Sequence, residues 1–511
     1  MPSDSTSAPA DERDLASFGY KQELGRTLGA FSTFATGFAF ISILTGAFQL
    51  FFFAYGNAGP AFWWTWVIAV AGQLLFALCF AELAVHYPLA GSVYNWCKHL
   101  ARPGTSWIAG VSLIFALIVS TAGVALAMQF VLPTVWSGFQ LFGDGTGPYD
   151  YATNGVLLGA ITILATTVIN ILGVKVIAVI NNIGVCVELV ATVLLIVLLL
   201  FSAKRGPQVV FETNGAETHN SLGMPGALLM AVLLGVYILW GFDTAGSVGE
   251  ETINPRKTNP RAIIRAVLAA GVMGGLLMLA ALMAVGDLSA RELSVSGLPY
   301  VVESVLGPVL GKILLVCVAI AVFVCALANQ TGAIRMIFAM ARDNALPGSG
   351  RLARISRRSR TPVIPAVLTG VVAVLVLVAN VRQPQIFVVI TSTTVVLALV
   401  AYVLVVGSLT LTRLRGRWVP TPPGYFSLGR WGLPVSIAAL AWGCVVIVDI
   451  AWPRREVFNP AEPYHWYLQW GGVLFVVIAL GLSFMFYWFV QRGKVGVLAD
   501  HAAPVAEQTR R

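Results

Sequence analysis

Long apolar runs separated by short polar breaks make up most of the chain. About twelve of them reach membrane-spanning length, at approximately 28–54, 61–86, 106–137, 152–172, 175–203, 224–249, 262–287, 308–341, 362–380, 386–411, 432–451 and 468–490. A helix needs about 20 apolar residues to cross a hydrocarbon core of about 30 Å. The pattern therefore predicts an all-α polytopic membrane protein with about twelve transmembrane helices.

Two of these runs are interrupted at membrane depth. The first, FSTFATGFAFISILTGAFQLFFF, contains Gly37, Ser42, Thr45 and Gly46, and the sixth contains the sequence WGFD. Breaks at corresponding places in two halves are the best sequence sign of an inverted-repeat transporter. The broken spans are the first and the sixth, five positions apart, and an odd number of spans per half inverts the second half. The breaks predict a ten-helix core over residues 26–412, with repeats at about 28–203 and 224–411.

The remaining segments are short. Residues 1–25 and 492–511 are polar, and the N-terminal segment lacks the apolar region of a signal peptide, so both are predicted to be disordered cytoplasmic tails. Residues 413–431 are predicted to form a cytoplasmic loop. Residues 432–491 are predicted to form two additional helices outside the ten-helix core.

Composition and charge agree with a membrane location. The 511 residues are 58% hydrophobic and 11% charged, against about 25% charged in soluble domains. The net charge of +9 would suit a nucleic-acid partner. However, 25 of the 32 Lys and Arg residues fall in alternate loops, the pattern that sets membrane topology. The sequence thus predicts a multi-pass protein of the cell membrane with both termini cytoplasmic, whose partner is the bilayer and not nucleic acid.

Motifs for catalysis and metal binding are missing from the sequence. There is no GxxxxGK[ST] phosphate loop and no HExxH zinc motif, the six cysteines form no CxxC pair, and the five histidines are scattered. We therefore predict that the protein is not an enzyme and needs neither a metal nor a cofactor.

Four stretches carry a resemblance to a known family. They are GYKQELGRTLGAFSTFATGFAFISILTG (19–46), AELAVHYPLAGSVYNW (81–96), WGFDTAGSVGEETINPRKTNPRAI (240–263) and IRMIFAMARDNALPGSGRLARISRRSRTPVIPAV (334–367). The chain resembles the amino acid–polyamine–organocation transporter superfamily. Within it, the chain is most similar to the amino acid/choline transporters, which include the γ-aminobutyrate permeases.

The resemblance implies a fold and a function. The fold is a five-plus-five inverted-repeat core, with broken helices 1 and 6, plus two extra helices. The function is import of an amino acid or related amine, such as γ-aminobutyrate, by alternating access. The import is expected to be coupled to H⁺ or Na⁺, and we favour H⁺ as the coupling ion. The alternatives are a choline or polyamine permease, an amino-acid exchanger, and a transporter-like receptor that binds its ligand without moving it.

The break in the first span is a candidate site for the substrate's carboxylate. A helix that restarts in mid-membrane presents backbone N–H groups and a favourable dipole to an anion. The predicted residues are Ile41, Ser42, Ile43, Thr45 and Gly46. Alternatively, the small residues here serve only close helix packing.

The break in the sixth span is a candidate site for the substrate's amine. Backbone carbonyls at the end of a half-helix can hold an ammonium group, and aromatic faces attract cations. The predicted residues are Tyr237, Ile238, Trp240, Gly241 and Phe242. The alternative is that the aromatic residues belong to the core.

Two acids lie inside the apolar runs. We expect Asp243 to cap the second half of the sixth helix, with a coupling role as the alternative. Glu188 follows Lys175 by thirteen residues, which places it about 20 Å along its helix. An acid at that depth is costly and is by default functional, so we predict that Glu188 binds the coupling H⁺ or Na⁺ or attracts the substrate's amine. The alternative is a hydrogen bond to Asn181 or Gln330.

For several other polar residues, the sequence leaves two roles open. Asn329, Gln330 and Thr331 on the eighth span either line the pathway or cross-link helices, as do residues 391–394 on the tenth. Three acids near the predicted inner ends are expected to form exposed ion pairs worth about 0–1 kcal/mol each. They are Glu82, Glu250 and Glu251.

Overall fold

The computed structural model describes residues 8–503 except 146, 148, 380, 382–385 and 459–463. Within these residues the regular structure is helical. The α-helices in chain order are α1 (Ala8–Ser17), α2 (Ala30–Ile41), α3 (Ile43–Ala58), α4 (Trp63–His86), α5 (Ser92–Leu100), α6 (Pro103–Leu126), α7 (Met128–Val135), α8 (Asp150–Leu172), α9 (Val174–Phe201), α10 (Gly223–Ile238), α11 (Thr244–Ser247), α12 (Pro255–Ala284), α13 (Arg291–Val295), α14 (Leu298–Arg342), α15 (Ser349–Leu352), α16 (Val363–Ala379), α17 (Ile386–Leu414), α18 (Gly432–Ala451), α19 (Arg455–Phe458) and α20 (Trp466–Phe486).

The helices account for the predicted membrane crossings. Nine helical stretches within the described residues are long and apolar enough to span a membrane. One of them, Ala30–His86, has 57 residues and is interrupted by the turn Gly59–Phe62, so it contains two crossings. Adding the broken pair α10–α11 and the 17-residue helix α16 gives the twelve spans expected from the sequence. The prediction of an all-α polytopic membrane protein is confirmed.

Both predicted helix breaks are present and they touch each other. Ser42 separates α2 from α3 with φ 32° and ψ 92°, and residues 239–243 separate α10 from α11. Gly241 has φ +82°, and a Cβ there would lie 1.8 Å from the Phe40 ring. The Phe40 and Trp240 rings meet edge to face, with centroids 4.8 Å apart. The two interruptions therefore form one junction inside the bundle.

The neighbouring helices enclose this junction. Helix α12 packs along α2 and α4, and α14 packs against α6 and α9. Helix α17 packs along α6, and α18 and α20 pack on α17. Many side chains of α20 are exposed at the edge of the bundle, which suits contact with lipid. The repeat boundaries inferred from the sequence stay a prediction.

The prediction of disordered tails is wrong for residues 8–25 and 492–503. Helix α1 is followed by a segment in which Lys21 N–H donates to the His501 carbonyl and Ala503 N–H donates to the Gly19 carbonyl. Gly496 N–H likewise donates to the Asp343 carbonyl at the end of α14. The two ends of the chain thus bind each other and the bundle. Residues 1–7 and 504–511 of the predicted tails lie outside the described residues.

Candidate substrate-binding site

An enclosed space lies where the two helix breaks meet. About 240 Å³ of unfilled volume lies between the α2–α3 break, the end of α10, α6 and α14. In this conformation it has room for about one water molecule. A solute held here therefore requires the surrounding side chains or helices to move apart. The residues that line the space are Phe40, Ile41, Ser42, Thr45, Gly46, Gln49, Ser120, Val124, Tyr237, Ile238, Trp240, Cys325 and Asn329.

Most of the residues expected to bind substrate are in this lining. Seven of the ten are present: Ile41, Ser42, Thr45, Gly46, Tyr237, Ile238 and Trp240. Gly46 has a packing role as well, because a Cβ on it would lie 2.3 Å from Cγ1 of Ile238. The close-packing interpretation therefore applies at Gly46, and its role in substrate binding stays a prediction.

Three expected residues lie outside the lining. The Phe242 ring packs against the rings of Phe80 and Tyr402, with centroids 5.8 and 5.6 Å away, so it belongs to the core. Gly241 supplies the positive φ of the break. The Ile43 side chain is buried away from the space, although its backbone N–H faces Glu188. These three are not placed to contact a solute held between the breaks.

The site also contains polar residues that sequence reasoning missed or ranked low. Gln49 lies two turns along α3 from Ser42, and Asn329 lies on α14. Gln49 Oε1, Tyr237 OH and Asn329 Oδ1 are buried and have no hydrogen-bond partner. A buried polar atom without a partner costs about 1–3 kcal/mol. These atoms are therefore ready to bond a polar ligand. The available sequence signal was a polar residue inside an apolar span.

The Glu188 carboxylate lies at the start of α3. It is 1% exposed, and its Oε1 accepts hydrogen bonds from Ser42 Oγ at 3.0 Å and from Leu44 N at 3.2 Å. The expected alternative partners are wrong: both polar side-chain atoms of Asn181 are unpaired, and Gln330 donates to Thr167 Oγ1 at 2.6 Å. The N–H groups expected to be free for a substrate carboxylate are thus occupied by a carboxylate of the protein itself.

Asp243 does not cap the second half-helix with its side chain. Its carboxylate accepts hydrogen bonds from Ser92 Oγ at 2.8 Å and from the Tyr402 hydroxyl. Tyr402 in turn accepts a bond from Gly241 N at 2.9 Å. The expectation of a side-chain cap is wrong because stronger partners on α5 and α17 lie within reach. Asp243 instead ties the sixth-helix break to these two neighbours, and it is not part of the lining.

The three acids near one end of the bundle form ion pairs, as expected, but the pairs are buried. Glu250 pairs with Arg342 at 2.6 Å, Glu251 pairs with Arg335 at 2.8 Å, and Glu82 pairs with Arg413. No partner side chain is more than 7% exposed. Removing one member of a buried pair costs about 3–5 kcal/mol, well above the value expected for exposed pairs. We call this end of the bundle the basic end.

A second group of contacts closes the basic end around Asp343. Tyr20 OH donates to Asp343 Oδ1 at 2.8 Å, and Lys98 Nζ lies 2.5 Å from Oδ2. The Arg342 guanidinium lies 3.7 Å from the centre of the Tyr20 ring. Burial, and next the charge of Asp343, raise the pKa of Tyr20 well above its ordinary value, so this hydroxyl stays protonated and donates.

Other proteins are similar to this chain along most of its length. The amino-acid permease BAT1 of Arabidopsis thaliana is 27% identical over 502 residues, which cover 93% of this chain and 95% of that protein. The branched-chain amino acid permease BcaP of Bacillus subtilis is 28% identical, covering 71% of this chain and 76% of that protein. Amino-acid permease 2 of Neurospora crassa is 26% identical, covering 89% and 84%.

A family model agrees with these relatives and with the fold. The model described as amino acid permease matches residues 28–485. This range starts just before α2 and ends within α20, so it contains both helix breaks and the enclosed space between them. The family consists of transporters and not of enzymes. The chain therefore belongs to the amino acid permease family of the amino acid–polyamine–organocation superfamily.

Proposed function

We propose that this permease is a proton-coupled importer of a small amino acid, with the solute held between the two helix breaks. The observation that carries the proposal is the enclosed space with three unpaired polar atoms on α3, α10 and α14. γ-Aminobutyrate, suggested by the resemblance of the sequence, and branched-chain amino acids, suggested by the name of the Bacillus subtilis relative, are the first candidates.

The lining offers a partner for each part of an amino acid. The start of α3, with the Ser42 and Thr45 hydroxyls, suits the carboxylate because its N–H groups and dipole favour an anion. The carbonyl end of α10 and the Trp240 ring suit the ammonium group. Ile41, Val124 and Ile238 suit an aliphatic part.

Import requires that the site open to each side of the membrane in turn. In the conformation described here, the space is enclosed and the basic end is closed by the buried ion pairs. We propose that the basic end faces the cytoplasm of a cell-membrane protein, because Lys and Arg concentrate on the cytoplasmic side. Release into the cell then requires these pairs to separate.

Glu188 is the proposed carrier of the coupling proton. It is the acid whose carboxylate meets the α2–α3 break directly. Among the described residues it has no ion-pair partner, so its charge is compensated only by hydrogen bonds. A buried acid of this kind can change its protonation state when its surroundings change.

The experiment is uptake into proteoliposomes. Purified protein is supplied with labelled γ-aminobutyrate, branched-chain amino acids, choline and putrescine, under an imposed pH gradient, an imposed Na⁺ gradient or neither. We expect accumulation of an amino acid that depends on the pH gradient, and loss of that uptake in the Trp240→Ala variant. A matched control is Trp488→Ala, which removes a half-exposed tryptophan far along the chain from the site.

The other outcomes identify the alternatives. Accumulation of choline or putrescine alone would make the protein an organocation permease. Counterflow without any gradient-driven accumulation would make it an exchanger. Binding of an amino acid without counterflow would make it a receptor, and each of these results would overturn the proposal.

A further inference from the structure

We infer that the ionised carboxylate of Glu188 occupies the substrate's carboxylate position in the empty protein, so that the two anions exclude each other from the start of α3. The inference rests on the proposed function and adds a mechanism to it. A bound amino acid displaces Glu188, and Glu188 then takes up a proton.

The first N–H groups of α3 all have acceptors within the protein. Leu44 N–H donates to Glu188 Oε1 at 3.2 Å, and Ile43 N–H also faces this carboxylate. Thr45 N–H donates to Ser42 Oγ at 3.4 Å, and Gly46 N–H donates to the Ser42 carbonyl at 3.1 Å. An incoming anion therefore finds no free donor at this helix start while Glu188 remains there.

The Ser42 hydroxyl belongs to the same anion site. It donates to Glu188 Oε1 at 3.0 Å and lies 2.6 Å from Thr45 Oγ1. Both hydroxyls line the enclosed space. One of the donors that hold Glu188, the Ser42 hydroxyl, thus lies in the wall of the space that a solute would enter.

Independent evidence for a ligand comes from other residues that line the same space. Gln49 Oε1, Tyr237 OH and Asn329 Oδ1 are buried and unpaired there. Native proteins rarely leave such atoms unsatisfied, so their grouping in one space points to a polar ligand. The lining of the space therefore combines unpaired polar groups with the Ser42 hydroxyl, which binds the carboxylate of Glu188.

No charged side chain in the described part of the chain lies near enough to Glu188 to neutralise a second negative charge. Helices α2, α3, α8, α12 and α14 pack against α9, which carries Glu188. Among the described residues, the Ser42 hydroxyl and the N–H groups of Ile43 and Leu44 bond to it, the Cys325 thiol interacts with it, and no charged side chain does so. Two carboxylates at this buried position repel each other strongly. One of them must leave or become protonated.

In this exchange the substrate carboxylate replaces the Glu188 carboxylate at the start of α3. The substrate carboxylate accepts the hydrogen bonds of Leu44 N–H and Ser42 Oγ, and the Glu188 carboxylate releases them. Glu188 then binds one proton from water on the open side and becomes a neutral carboxylic acid. Release of the substrate on the other side reverses the exchange, and the proton leaves there. One proton accompanies each amino acid.

The test counts protons during binding. Titration calorimetry of the purified protein, with an amino acid that it transports and in buffers of different ionisation enthalpy, gives the number of protons taken up per bound substrate. We expect the number to approach one at the alkaline end of the usable range, where Glu188 starts ionised. In that range the affinity should fall about tenfold per pH unit, as proton linkage requires.

The variant Glu188→Gln keeps the shape and removes the charge. We expect it to bind the same amino acid with no proton uptake and no dependence on pH, to retain counterflow, and to lose accumulation driven by a pH gradient. The matched control Glu217→Gln, at an exposed position, should behave as the unmodified protein.

The outcomes separate this inference from the proposed function. If the unmodified protein binds and transports no amino acid, the proposed function fails and the inference with it. If it transports an amino acid but takes up no proton on binding at any pH, only the inference fails. Because this second result is read from the unmodified protein, it does not depend on the folding of a variant.

Discussion

Ser42 combines an unusual backbone conformation with a central position in the site. Its backbone φ of 32° is positive, a value that residues other than glycine rarely adopt. Residues held in such conformations cost about 1–3 kcal/mol and cluster at functional sites. Here the conformation separates α2 from α3 and directs the hydroxyl toward both Thr45 and Glu188.

The unpaired hydroxyl of Tyr237 allows substrate binding to be separated from stability. Tyr237→Phe removes an OH that has no partner in the empty protein. We expect the melting temperature in detergent to stay the same or rise, while affinity for the transported amino acid falls about tenfold or more, because a site built to hydrogen-bond a group discriminates through that bond. The control Thr369→Val removes a hydroxyl that bonds within α16, and should leave affinity unchanged. Equal affinity in Tyr237→Phe would remove this hydroxyl from the site.

Gly46 allows α3 to approach α10 closely. The added methyl group of Gly46→Ala would lie 2.3 Å from Ile238 Cγ1, and we expect a loss of about 1–3 kcal/mol, as for other overpacked cores. Gly407→Ala is the control, because its Cβ would make an ordinary contact of 3.7 Å with Leu440. Thermal unfolding in detergent measures both. Adding Ile238→Ala to Gly46→Ala should restore part of the stability, and no restoration would argue against the proposed clash.

At the level of single residues, the sequence indicated positions better than partners. A polar or charged residue inside an apolar span is conspicuous, and Ser42, Glu188 and Asp243 were identified on that basis. Their partners depend on how distant helices pack. Nothing in the sequence near Glu188 points to Leu44, and nothing near Asp243 points to Tyr402. Asn329 was named as one of several polar residues and could not be singled out for the same reason.

At the scale of helices, the sequence predicts the two helix breaks but does not predict that they contact each other. Glycine and polar residues interrupt the apolar pattern at Ser42 and Gly241, so each interruption could be read directly. The contact between Phe40 and Trp240 follows from the packing of α2 against α10–α11, which local pattern does not encode. The start of the eighth span agrees with the prediction of 308, because the backbone of Gly307, with φ 75° and ψ 171°, is not helical and divides α14 just before Pro308.

The buried pair between α14 and the loop after α11 should stabilise the closed basic end. Arg342→Met removes the partner of Glu250 and leaves a buried carboxylate without its cation. We expect unfolding to become easier by about 3–5 kcal/mol, and hydrogen exchange to increase in residues 247–256. The exposed Arg351 at the same end provides the control, since Arg351→Met should change stability by no more than about 0.5 kcal/mol.

The double variant Glu250→Gln/Arg342→Met tests whether the effect belongs to the pair. Removing both charges should cost less than the sum of the two single changes, because no unpaired charge remains. Strict additivity would show that Arg342 acts through its contact with Tyr20 and not through Glu250.

In the whole molecule, the ends of the chain hold one face of the bundle together. Residues 19–23 pair with residues 501–503, and residues 496–498 pair with the end of α14. Composition alone suggested disorder here, because polar ends without apolar periodicity are usually mobile. Main-chain hydrogen bonds between two distant segments leave no local signal in the sequence, so this contact could not be anticipated.

Removing the C-terminal segment should loosen the basic end without unfolding the bundle. Deletion of residues 495–511 eliminates the bonds to Lys21, Arg342 and Asp343 but leaves every membrane helix intact. We expect faster hydrogen exchange in residues 15–28 and 340–346, with little change in α6 and α12. Deletion of residues 504–511 alone is the control, since it preserves all of these bonds. Unchanged exchange in the longer deletion would contradict a holding role for the segment.

The transport mechanism depends on where an amino acid binds relative to Glu188. The most direct measurement is an electron cryomicroscopy structure of the protein with a transported amino acid bound at saturation. We predict the solute between the two helix breaks, its carboxylate within hydrogen-bonding distance of Leu44 N and Ser42 Oγ, and the Glu188 side chain turned away from both. A solute bound elsewhere, or Glu188 still bonded to Leu44 N beside the solute, would contradict the account.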